Sequence, residues 1–202
     1  MDLIKSSLVI ASCNLGKIKE FRQLLSSCSL KVIGQPEKLQ IEETGKTFAE
    51  NARLKAIAVA GLTGEWSLAD DSGLSVRALH GRPGVFSARY ARNDEERIQR
   101  LLREMEFVED RYAFFSCALC IASPNQEILL EVEGKCEGAI TKEPRGGGGF
   151  GYDPIFEVLN KGLTYAEMGR EQKHSVSHRG RAFALLEPGI KKLLMIKNST
   201  QK

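Results

Sequence analysis

No stretch of this chain stays apolar for the length a membrane-spanning helix needs. Its start, Met1 to Lys5, leads into a strand-like segment instead of the apolar core and small-residue cleavage site of a secretory leader. The expectation is a cytoplasmic protein with no membrane partner. Cysteines are few and odd in number, five, and scattered through apolar segments, which argues against a disulfide framework. Cys117 and Cys120 form a C-x-x-C, but it lies in a buried-strand pattern over residues 112–122 with no second cysteine pair or nearby histidine. It therefore reads as core packing. No excess of one charge is present either: 29 basic against 26 acidic residues give +3, too balanced for gripping long nucleic acid through its phosphates. A stable nucleic-acid complex is not expected, whereas small anions such as nucleotides remain open. Internal repeats and long polar linkers are missing, so the 202 residues, 42% hydrophobic, are expected to form one α/β or α+β domain with a real core. Two nucleotide motifs are absent as well. Gly45-Lys46-Thr47 would need a glycine at Gln40 to make a P-loop, and Gly146, Gly148 and Gly151 are followed by Tyr152-Asp153-Pro154, which cannot open the helix of a Rossmann fingerprint.

What is present begins with residues 66–73, a strand-like run that meets Asp70, Asp71, Ser72 and Gly73. Adjacent carboxylates repel, and in an extended strand they point to opposite faces, so both serve one site only if the strand ends there and turns. Such a turn would hold a hard cation such as Mg²⁺ through oxygen ligands, with phosphates completing the shell; the plain alternative is a solvated turn.

Residues 8–12 read as a buried strand, followed by a tight loop and a helix over residues 17–25 with Ile18, Phe21, Leu24 and Leu25 on one face. That unit either aims helix N–H groups and Lys17 at an anion or is an ordinary α/β connection. A strand near residues 31–33 leads to the acidic pair Glu42 and Glu43. Thr47 and Glu50 then form a capping box for a helix that should stop at Gly61, with Lys55 either reaching back toward the loop region or, by default, facing water. Residues 81–90 form a loop-rich arm, and Asn93 caps a helix with Ile98, Leu101, Leu102 and Met105 on one face. Residues 112–123 and 127–140 read as a long antiparallel hairpin. In the glycine-rich stretch 144–154, Phe150 either stacks on a planar base or returns to the core. Thr164 and Glu167 cap a short helix, and Lys173, His178 and Arg179 crowd the start of a last helix that Pro188-Gly189 interrupts.

Taken together, these segments carry a series of motifs: Ser-x-Asn-x-Gly-Lys at 12–17, Glu-Glu-Thr-Gly at 42–45, Thr-Phe-x-Glu-Asn-Ala at 47–52 and Ala-Asp-Asp-Ser-Gly-Leu at 69–74. Gly-x-Pro-Gly-Val-x-Ser-Ala-Arg-Tyr at 81–90, Gly-Gly-Phe-Gly-Tyr-Asp-Pro-Ile-Phe at 148–156 and Ser-His-Arg-Gly-x-Ala at 177–182 complete it. In that order the chain resembles the inosine triphosphate pyrophosphatase family of non-canonical purine nucleoside triphosphate pyrophosphatases. The resemblance implies Mg²⁺-dependent hydrolysis of ITP, dITP and XTP to monophosphate and pyrophosphate by a homodimer. It also implies an elongated two-lobed mixed-sheet α/β fold with a long β-hairpin arm and a cleft between the lobes of residues 1–202. It carries Ser12, Cys13, Asn14, Leu15, Gly16 and Lys17, with Lys55 and Ser72, to the triphosphate, and Glu42, Asp70 and Asp71 to the metal, Asp71 also being the general base. Phe150, Gly151, Tyr152, Asp153, Lys173, His178 and Arg179 fall on the base side. Ser12 stands where the family usually has Thr, and Cys13 where bacterial members usually have Gly, which leaves the course of that loop open. The alternatives are a related-fold pyrophosphatase for pyrimidine or modified nucleotides, and a nucleotide- or RNA-binding module without catalysis.

Overall fold

A computed structural model describes residues 6–37 and 39–200; Met1 to Lys5, expected to lead into the first strand, lie outside them. Strand β1 (Ser6–Ala11) is parallel to β2 (Leu30–Gly34) on one side and β3 (Trp66–Val76) on the other. Its run Leu8, Val9, Ile10 and Ala11 is wholly buried, as a parallel strand covered on both faces requires. Helices α1 (Leu15–Leu24) and α2 (Phe48–Thr63) belong to the connections out of β1 and β2. Next come α3 (Asp94–Glu104), β4 (Tyr112–Ala122), β5 (Ile128–Ile140), β6 (Phe156–Val158), α4 (Arg170–Val176) and α5 (His178–Thr200). The six strands form one mixed sheet in the order β2-β1-β3-β4-β5-β6, with β6 antiparallel to β5. The mixed α/β class is as expected. The long hairpin is not seen as an arm among the described residues: β4 and β5 lie inside the sheet, flanked by β3 and β6.

The chain divides into two compact units. The first comprises Met1–Asp71, Ala118–Glu133 and Ala182–Lys202, and the second Ser72–Cys117 and Gly134–Arg181. Strand β3 passes from one to the other between Asp71 and Ser72. The first unit has a core of small side chains, in which Ala52, Ala56, Val59 and Ala60 of α2 meet Val9, Ala11, Ala69, Ala118, Cys120 and Ala122 of the strands. Small residues on the helix let its backbone approach the sheet closely. Cys120 is a core residue as expected, and burial pushes its thiol up to about 12, which makes it chemically inert. The second unit is built on large side chains instead. Phe115 meets Phe156 edge-on at 4.8 Å between ring centroids, and Leu101 and Met105 of α3 are fully buried beside Tyr152, Tyr165 and Ile155.

Caps set the helix starts. Thr47 and Glu50 make the expected capping box of α2, and Asn93 caps α3 through the Glu96 N–H. Four expected boundaries move. Helix α1 begins at Leu15, two residues early, because the Asn14 side chain accepts the Lys17 N–H and caps it. Helix α2 runs past Gly61, where a side chain would crowd Gln126, and ends at Gly64, whose φ of +68° is the left-handed conformation that terminates helices. Thr164 and Glu167 do exchange capping-box hydrogen bonds, yet these close a single turn, and α4 starts only at Arg170. Finally, α5 continues through Pro188. Pro188 and Ala184, whose carbonyl loses its partner, both lie on the exposed side, where water can satisfy it.

Candidate active site

The parallel strands fix the level of the first cluster. Ala11 of β1 pairs with Ala69 of β3, so the loop of residues 12–14 leaves the sheet where Asp70 and Asp71 follow. This is the carboxyl end of parallel strands, the usual place for ligands in such sheets. Within the loop, Ser12 Oγ accepts the Asn14 N–H at 3.1 Å and Asn14 Oδ1 accepts the Lys17 N–H at 3.1 Å. These two side chains therefore shape the loop, while Leu15 and Gly16 form the first turn of α1 and Leu15 is 81% exposed. The course that Cys13 left open is settled by its sulfur. Cys13 Sγ accepts from Gln35 Nε2 at 3.0 Å and donates to the Leu39 carbonyl at 3.6 Å, tying the loop to the segment after β2.

The expected turn at Asp70-Asp71 is absent: β3 runs unbroken through Ser72 and Gly73 to Val76. The adjacent aspartates therefore serve different partners, as the alternation of a strand dictates. Asp70 is ion-paired with Lys17 of α1. Asp71 accepts from Asn51 Nδ2 at 3.1 Å and lies 3.3 Å from Lys55 Nζ, both on α2. Lys55 is not in water. Its ammonium also donates to Glu43 Oε1 at 2.6 Å and to the Asp70 carbonyl at 2.9 Å. Burial pushes the Asp71 carboxyl above the ordinary aspartate range, against the pull of Lys55 and Lys17. For Lys55 the balance falls the other way: burial lowers it, but Asp71, Glu43 and Asp70 together raise it. Burial thus outweighs the cations at Asp71, whereas the surrounding acids outweigh burial at Lys55.

One member of this cluster, Asn51, is not picked out in the sequence, and the acidic pair Glu42 and Glu43 is not resolved there into its active member. Asn51 is fully buried and bridges Asp71 to the Gly45 N–H, 2.8 Å from its Oδ1. Glu43, not the exposed Glu42, is the acid that reaches Lys55. Parity along 41–47 could not show this, because the segment is irregular. Among the described residues no three acids, histidines or cysteines gather into a metal-binding group; ammonium groups stand against the carboxylates instead. The donors are all oxygen and already face cations, which suits a hard divalent ion.

The second unit holds the other expected residues. Asp153 Oδ2 accepts the Phe150 N–H at 2.8 Å and the Lys173 ammonium at 2.7 Å. A side chain on Gly149, at φ +78°, would fall 1.9 Å from that oxygen, so glycine is required there. The Phe150 ring is half-buried, with Lys173 Nζ 5.0 Å and the Arg179 guanidinium carbon 5.9 Å from its centroid. Arg179, 2% exposed, donates to Ser72 Oγ at 3.0 Å. The His178 ring stacks on Phe115 at 4.6 Å, with Nδ1 3.5 Å from the Tyr165 hydroxyl. Tyr152 is drawn into the core, its hydroxyl donating to the Ser87 carbonyl at 3.0 Å, and burial raises its pKa well above the usual tyrosine value. The basic residues do not all crowd one helix start. Lys173 lies in the last turn of α4, where the dipole favours a cation, and only His178 and Arg179 open α5.

The chain as a whole is similar to known proteins. Residues 8–188 match the Ham1 family model. A dITP/XTP pyrophosphatase of Prochlorococcus marinus (strain MIT 9313) is 62% identical over 98% of this chain and 97% of its own length. The solved HAM1 protein of Coxiella burnetii superposes with a TM-score of 0.84 at 43% identity, over 93% of this chain and 99% of that one. The Ham1 protein of Staphylococcus aureus gives 0.82 at 40% identity, over the same shares of the two chains. With a family model spanning most of its length and relatives of this closeness, the chain belongs to the Ham1 family.

Proposed function

We propose that this chain is a dITP/XTP pyrophosphatase, which hydrolyses dITP, XTP and ITP to the nucleoside monophosphate and pyrophosphate and so clears deaminated purines from the nucleotide pool. The observation that carries the reading is the pairing of Asp70 with Lys17 and Asp71 with Lys55 beside the first turn of α1, in a chain so similar to a protein of that name. Four charged side chains, all at most 15% exposed, are costly to keep unless a polyanion and its counter-ion use them.

Asp71 accepts the proton of the attacking water, and its raised pKa brings its basicity closer to neutral pH. Asn51 and Lys55 fix the carboxylate from two sides. Lys17, Lys55 and the amide groups of residues 15–17 stabilise the charge that develops on phosphoryl oxygens and the departing pyrophosphate, as Ser12, Cys13 and Asn14 hold the loop. Mg²⁺, the metal of this reading, would be held by Asp70, Asp71 and Glu43 and would neutralise phosphate charge when bound. In the second unit, Phe150 offers a ring for the base, Asp153 and Lys173 hold its loop, and Ser72 donates to a phosphate. Arg179 or His178 donates to the 6-keto oxygen of hypoxanthine or xanthine. Adenine presents an amino donor there, and donor facing donor supports discrimination of about 10⁴-fold. The reading includes a cytoplasmic homodimer that does not retain nucleic acid, in keeping with the near-balanced charge of the chain.

Pyrophosphate release from ITP, dITP, XTP, GTP and ATP, with and without Mg²⁺, tests it. Turnover of the first three at least 100-fold above ATP, lost on chelation, is expected. Equal turnover of ATP and ITP, or activity indifferent to divalent ions, overturns it.

A further inference from the structure

The motif at residues 81–90 and the start of α3 take no part in the chemistry above, yet they hold the glycine loop at two points. The Ser87 carbonyl receives the Tyr152 hydroxyl at 3.0 Å, while the Ser87 hydroxyl accepts the Leu74 N–H at 2.9 Å and donates to the Gly84 carbonyl at 2.6 Å. The second point is Asp94, first residue of α3, whose Oδ2 accepts the Gly151 N–H at 2.7 Å. Its other oxygen takes the Arg97 guanidinium at 2.5 Å, which fixes the carboxylate's rotation. Between the loop and α3 lies an open groove of about 470 Å³, lined by Asp94, Glu95, Ile98 and Gln99 of α3 and by the loop glycines and Phe150 themselves. Phe150 borders this groove with glycine on both sides, and on its α3 side the loop faces open space instead of packed side chains. The charge-assisted bond to Gly151 fixes the backbone one residue from the aromatic ring.

We propose that Asp94 is a positioning residue that sets the site's base selectivity by pinning the Phe150 loop through the Gly151 N–H. This rests on the reading of Phe150 and Asp153 as base-side groups. A pinned loop presents its ring and the Asp153–Lys173 pair at a fixed distance from a base and rejects one with an added substituent; an unpinned loop shifts along the open groove beside α3 and accepts it. The probes are ITP and GTP, whose bases share the 6-keto group and differ by a 2-amino group.

The test compares kcat and KM for both substrates in wild type, D94A, D94N and E95A. In D94A the preference for ITP over GTP should fall about tenfold, through a higher KM for ITP and a lower one for GTP, with kcat for ITP within about threefold. D94N keeps an acceptor oxygen and should lie between D94A and wild type. E95A removes the neighbouring acid from the same helix turn and should keep the wild-type preference, separating loop positioning from a loss of helix stability. An unchanged preference in D94A, or the same loss in E95A, overturns the proposal. A wild type that prefers ITP while D94A keeps the preference removes the positioning role and leaves the reaction assignment standing.

Discussion

The two units meet the problem of buried polarity in opposite ways. In the first, the core is alanine and valine, and the buried polar groups are charges matched one against another: Asp70 with Lys17, Asp71 with Lys55, and Asn51 bridging to a backbone N–H. In the second, the core is aromatic, and polar groups are set into it singly, such as His178 on Phe115 and the Tyr152 hydroxyl on a carbonyl. The small-residue core brings α2 close enough for its lysine and asparagine to reach β3. The aromatic core offers flat walls and isolated donors. The difference suggests that the first unit governs rate and the second governs choice of substrate.

Four variants would break or sharpen that division. The largest effect is expected for D71N, which keeps the shape of the side chain and removes its basicity; kcat for ITP should fall about 10³-fold with KM little changed. A near-normal kcat would take the base role away from Asp71. Next, K55M should lower kcat about 100-fold and also lower stability, because Asp71 and Glu43 lose a shared buried cation. Thermal unfolding and steady-state kinetics measure the two consequences separately. In the second unit, R179M should raise KM for ITP about tenfold with kcat reduced by less than about threefold, since the donor role proposed for Arg179 acts on binding. A collapse of kcat instead would erase the contrast between the units. The smallest effect tests the cores: A56L overpacks the close helix–sheet contact of the first unit and should cost about 1–3 kcal/mol in urea unfolding.

The second unit should also dominate the response to alkali. Burial and the hydrogen bond to Glu104 push the Tyr90 hydroxyl from 10.0 to about 12, and burial raises Tyr152 and Tyr165 as well. A raised tyrosine pKa means the folded state holds its proton more tightly. The contribution to stability is therefore complete below pH 10 and is lost as pH rises from 10 through about 12. Equal urea midpoints at pH 9 and pH 11 would refute it.

Much of this arrangement was legible because it is local. Asn93, Thr47 and Glu50 announce helix starts through hydrogen bonds made within three residues, and residues 8–11 announce a doubly covered strand by their unbroken apolarity. What was not legible depends on partners distant in sequence. Lys55 looks solvated until Glu43 and Asp71 arrive from other elements, and Asn51 looks like an ordinary helix residue until β3 lies beside it. Pro188 breaks a helix in isolation but not one anchored by Ala182, Phe183, Leu186 and Ile190. The Asp-Asp pair suggests a turn only while its repulsion has no local relief; the fold relieves it by sending each acid to its own lysine, so the strand continues.

That last feature restricts how the gene can change. Asp70 and Asp71 are told apart only by the parity of β3, so removing one residue between Trp66 and Asp70 would exchange their faces, sending the acid that meets α1 toward α2 and its neighbour the opposite way. Substitutions in this strand alter one side chain at a time, whereas a single-codon insertion or deletion rewires both ion pairs at once. The length of β3 upstream of the aspartates should therefore be fixed among active variants even where its composition drifts, and a saturation library of one-residue indels across residues 66–69 should contain no active members.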